Sequence, residues 1–207
     1  MASDNDKETI LQALWRDRMH VTPRTFELSP PSAQERFEYA LAATDVVLDL
    51  LRPFPTGLLR LWQDAPCGHV VVTHRPSAYR PGPQPWRDGH LESVCYLSLR
   101  DLGAEEQREA MVALFHLLDH IWGSRGVAGE PWLSDRGGVT KRLQRVGERF
   151  AKIQALGYGH AELGVSSAHD YFAHGLWLYF RARKRLNALD PLLEKLYRGT
   201  LLRENLW

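Results

Sequence analysis

AEEQREAMVALFHLLDHIW, residues 104–122, is the stretch from which the architecture is read. Met111, Leu114, Phe115, Leu118 and Ile121 recur every three or four residues. That spacing predicts a long amphipathic helix with one face in a core. Gly123 follows and ends it. His116 and His120 stand at i and i+4, one above the other on a helix, so both imidazoles can reach a single metal ion. Hydrogen-bonded core histidines would give the same spacing. Glu109 lies close to this column one turn earlier, and Asp119 sits just before His120.

C-terminal to this helix the pattern stays helical. A polar, Gly-rich stretch, GSRGVAGEPWLSDRGG, leads into a helix over about 138–155, and GYGHAELGVSS reads as a loop. A helix from Ser167 to about Leu186 carries His169, Asp170 and His174, and a last helix starts with Pro191 at its first position. Asp170 and His174 are again i and i+4. A carboxylate and an imidazole so placed can add to a zinc site begun by His116, because zinc accepts N and O ligands. Ser167-x-x-Asp170 is also a capping box, in which the carboxylate serves the helix N-terminus.

N-terminal to it, residues 7–19 predict a helix with Ile10, Leu11, Leu14 and Trp15 on one side. Ser32 and Glu35 suggest a capping box opening a helix to about Leu51, which Pro53 and Pro55 end. Short apolar runs at 57–62, 69–74 and 93–99 predict strands, and the four-proline segment 75–89 an exposed loop. The resulting class is α+β, mostly helical with a small sheet, in one domain. Helices are expected over residues 1–55, the sheet over 56–102 and helices again over 103–207.

The balance of 26 basic and 25 acidic residues gives a net charge of +1, no basis for expecting nucleic acid or an anionic membrane as partner. No apolar run reaches the roughly 18–20 residues that span a bilayer. The opening MASDNDKETI is polar, and two cysteines, Cys67 and Cys95, are too few for a disulfide scaffold. A cytoplasmic protein is expected.

Two segments resemble a known family. Phe115 through Gly123 (FHLLDHIWG) is similar to the second histidine and tail of the HExxH-x-x-D helix in zinc peptidases of the anthrax toxin lethal factor type. Asp170 through Leu176 (DYFAHGL) is similar to the later helix whose first acid is that family's third zinc ligand, and Asp190 through Leu206 has the look of its closing segment. The resemblance covers about 105–205 and implies a zincin-like pair of site helices beside the sheet. It also implies a loss: the first zinc histidine falls on Val112 and the general-base glutamate on Ala113. Neither side chain binds metal or accepts a proton, so the family's peptidase mechanism is not expected to operate.

Two functional expectations follow. One is a degenerate metallopeptidase-like protein whose cleft binds a protein or peptide partner, or a metal; a peptide could add along a strand such as 93–99. The other is an active zinc hydrolase with rearranged metal ligands drawn from His116, Asp170, His174 and His120. In it Glu109 or Asp119 substitutes as base, and Tyr158 resembles the family's tyrosine that steadies the intermediate. Zinc is the cofactor implied, or none where the site is dead.

Overall fold

The computed structural model describes residues 4–165 and 167–207. The chain is α+β and mostly helical. Its elements are α1 (Asp4–Arg18), β1 (Met19–Val21), α2 (Thr25–Leu28), α3 (Pro31–Gln34), α4 (Ala43–Leu51), α5 (Thr56–Gln63), β2 (His69–Thr73), β3 (Ala78–Trp86), β4 (Gly89–Ser98), α6 (Leu99–Gly103), α7 (Arg108–Ser124), α8 (Lys141–Gln154), α9 (His160–Leu163), α10 (Ala168–Arg181), α11 (Arg183–Leu189) and α12 (Pro191–Leu196).

The strands form one mixed sheet in the order β1-β2-β4-β3, with β1, β2 and β4 parallel and β3 antiparallel to β4. Parallel strands need covering on both faces, and Val70, Val71, Val72, Val94, Cys95 and Leu97 are fully buried. α7 packs on the sheet along the face foreseen from its spacing: Met111, Leu114, Phe115, Leu118 and Ile121 are all buried. The N-terminal helices close on the same core through Phe54, whose ring lies 5.9 Å from Phe115, 5.6 Å from Trp122 and 5.2 Å from Phe180.

Several expectations are corrected. Residues 57–62 are helical, within α5, because Leu58, Leu59 and Trp62 are buried at helical spacing. The segment 75–89 is mostly strand: β3 pairs with β4, with an irregularity between Arg80 and Pro83 where Gly82 takes φ +76°. Pro81, Pro83 and Pro85 fit because β3 is an edge, where a missing N–H costs no ladder bond. Residues 93–99 lie mainly in β4, which is flanked on both sides, so no peptide can add along it. No helix runs from Ser32 to Leu51. Gln34 donates back to the carbonyls of Phe26 and Ser29, both at 2.9 Å, and closes a short turn; α4 starts afresh at Ala43. The later helix breaks at Ala182 into α10 and α11. Pro191 does open α12, and Asp190 caps it by accepting from Leu192 and Leu193 N–H.

His20 on β1 and His69 on β2 meet at 3.1 Å between ring nitrogens. Burial, with Arg18 and His20 adding to it, pushes His69 down to about 4. Between that value and the ordinary imidazole value near 6.5, the unfolded chain binds the proton and the folded chain does not. Stability is therefore lost as pH falls through this window. His69→Gln is expected to recover about 1 kcal/mol at pH 4.5 relative to pH 7.5, the linkage value discounted for a half-exposed group. Urea midpoints of both proteins at the two pH values measure it.

Candidate functional site

The face of α7 carrying His116, Asp119 and His120 meets the start of α10 and a turn at Leu133–Asp135. The turn comes this close because two glycines leave room. A Cβ on Gly123 of α7 would sit 2.4 Å from the Leu133 nitrogen, and one on Gly147 of α8 2.5 Å from the Leu133 carbonyl oxygen. Backbone cannot yield to such contacts cheaply. Gly123→Ala is expected to cost about 2–3 kcal/mol, read from urea unfolding, and to loosen Trp132 as seen in its fluorescence.

Trp132 occupies the space this turn encloses. Its indole lies 4.8 Å from His120 and nearly parallel to it, 4.1 Å from His169, 6.0 Å from His116 and 5.3 Å from Tyr79. His120 is fully committed by hydrogen bonds. Its Nε2 donates to the Val127 carbonyl at 2.9 Å, which leaves Nδ1 to accept from the Tyr79 hydroxyl at 2.5 Å. Burial lowers the His120 pKa and raises that of Tyr79, which keeps this neutral tautomer in place. No lone pair on His120 remains for a metal.

Asp119 is wholly buried. One carboxylate oxygen accepts from the Ser134 N–H at 2.8 Å and the other from the Ser134 hydroxyl at 2.6 Å. It anchors the turn and has no path to a solvent water. His169 Nδ1 lies 2.9 Å from Ser134 Oγ, and its Nε2 3.2 Å from Asp135. Burial opposes charge on His169, but Asp119, Asp135 and Asp170 outweigh it and raise its pKa. With its proton on Nδ1, His169 donates to Ser134 Oγ, whose own proton goes to Asp119. This Ser–His–Asp grouping is not a nucleophile, since Ser134 is 2 % exposed and its proton is directed to a carboxylate.

His116 and Asp170 do meet. Nε2 of His116 lies 3.4 Å from one Asp170 oxygen, while the other oxygen takes the Ser167 hydroxyl at 2.7 Å. Ser167 caps α10 by accepting from the Asp170 N–H at 3.0 Å, so the carboxylate serves the capping box and faces His116 at once. Nδ1 of His116 is buried without a hydrogen-bond partner. Burial drives this imidazole down to about 4, with Asp170 acting against the shift. His174 is engaged elsewhere: Arg108 donates to its Nδ1 at 3.4 Å and stacks over Trp177 at 5.1 Å. A guanidinium at that place opposes a metal cation. Glu109 is exposed on the first turn of α7. The Tyr158 side chain is also exposed, and its contribution is a carbonyl that accepts the Tyr171 hydroxyl.

The donor set does not fit a tetrahedral zinc centre. His116 and Asp170 supply two ligands, His120 and His174 are engaged, and Val112 and Ala113 are buried apolar side chains on α7. Among the described residues no three His, Cys, Asp or Glu side chains group to hold a metal. Sequence reasoning missed Trp132, Ser134 and Tyr79. The first two lie in a loop whose path no periodicity reveals, and the third in a strand read as loop. The chain matches no family model, no curated protein and no solved structure.

Proposed function

We propose that this chain is a degenerate metallopeptidase-like protein that has lost peptide hydrolysis and acts by binding a protein or peptide partner across α7, α10 and the Trp132 turn. The observation that carries this reading is a half-kept site. His116 and Asp170, the two positions that resemble zinc ligands, face each other at 3.4 Å, while Val112 and Ala113 stand where the other ligand and the base belong. Trp132 supports it further, since its indole stacks on His120 and also contacts His169 and His116, covering the face between them. A cytoplasmic location belongs to the same proposal. Cys67 and Cys95 are both free and buried, in keeping with a reducing compartment. Among the described residues no helix is long and apolar enough to cross a membrane.

Elemental analysis of tag-free protein after incubation with excess zinc, beside His116→Ala and Asp170→Ala and with a peptide-hydrolysis screen, tests the reading. The expected result is substoichiometric metal in all three and no cleavage. About one zinc per chain, lost in both variants, overturns it in favour of a zinc hydrolase with rearranged ligands. One feature favours that second reading, the unpartnered Nδ1 of His116.

A further inference from the structure

α8 carries Lys141, Arg142, Arg145, Arg149 and Lys152 against a single acid, Glu148. Arg142, Arg145 and Arg149 fall at i, i+3 and i+7, one stripe along the helix. They rim a cavity of about 210 Å³ whose floor is apolar, made by Val146, Leu196, Leu206 and Trp207. Among the described residues, none of the three guanidiniums has a carboxylate partner, and Arg142 rests only on the Trp207 ring, 5.7 Å away. Nearby arginines are treated differently: Arg183 and Arg198 both hold Glu194, at 2.6 and 3.1 Å. Neighbouring like charges on a helix repel, and among the described residues no carboxylate pairs with the stripe to offset that repulsion.

We propose that this cavity binds a small phosphate monoester carrying an apolar or aromatic body. A guanidinium fork matches phosphate oxygens in pairs, and three such forks suit a doubly charged group better than a carboxylate. The apolar floor takes the organic moiety, and the volume, below the ~300 Å³ at which drug-sized pockets begin, fits one ring. No residue of the His116–Asp170 site lines this cavity, so the proposal stands independently of the function above.

Isothermal titration of the full chain at low salt with phenyl phosphate tests it, with inorganic phosphate as comparison. Saturable one-to-one binding is expected, about tenfold or more tighter than inorganic phosphate. The double variant R145Q/R149Q is expected to weaken it about tenfold or more, with the helical circular dichroism unchanged because Gln is a good helix former. Trp207→Ala should weaken phenyl phosphate while leaving inorganic phosphate unaltered. Absence of saturation, equal binding by R145Q/R149Q, or equal affinity for the two phosphates overturns the proposal. An oligonucleotide that binds more tightly with the same arginine dependence also overturns it, and assigns the stripe to nucleic acid.

Discussion

Val112→His is expected to bring zinc uptake to about one ion per chain, above the level of the unaltered protein. Position 112 lies four residues before His116 on α7, so a new imidazole there stands in the same column, one turn back. Asp170 already waits at 3.4 Å from His116, held by its cap to Ser167. A third ligand on a rigid helix completes the protein donor set of an open zinc site, with water in the fourth position. Val112 is 8 % exposed, so the larger ring must find room in a packed interior, at a cost of about 1–3 kcal/mol. Val112→His/Trp132→Ala also clears the indole 6.0 Å from the His116 ring. Zinc uptake by either variant, abolished by adding Asp170→Ala, is the expected outcome. Failure of both to take up zinc under excess metal means that the resemblance in register does not extend to geometry.

Asp119→Ala is expected to cost about 3–5 kcal/mol, enough to unfold an ordinary domain of this size on mild heating. Removing the carboxylate orphans two buried donors, the Ser134 N–H and hydroxyl. It also removes the carboxylate 3.7 Å from His169 Nδ1, one of the acids that raise the pKa of that imidazole. Ser134→Ala removes the two hydrogen bonds of the hydroxyl, to Asp119 and to His169, but keeps the backbone N–H contact, and is expected to cost only about 1–2 kcal/mol. The ratio between the two losses, from urea unfolding at pH 7, is the diagnostic. Near-equal losses would mean that Asp119 acts only through the Ser134 hydroxyl.

The elements read correctly from sequence are those whose local pattern and tertiary use agree. α7 is legible because its apolar stripe faces the core it announces, and α12 because Asp190 and Pro191 satisfy its first turn. β3 is hidden because proline normally ends a strand, and only its place at the sheet edge lifts that ban. α5 is misread because a run of six residues with two adjacent leucines satisfies either period. Within the site, the meeting of His116 with Asp170 was legible through two short motifs. Trp132, which decides what the site can hold, was not. Its position depends on backbone touching Gly123 and Gly147, contacts that no single segment encodes.

The proline ladder of β3 has a consequence for behaviour in concentrated solution. A sheet recruits further copies of itself through the outward N–H groups of an edge strand, the step that seeds fibrils. At Pro81, Pro83 and Pro85 those groups are replaced by ring carbons, and the opposite edge, β1, offers only Met19–Val21. Both edges of the sheet thus carry features that disfavour the pairing of one copy's strand with another's.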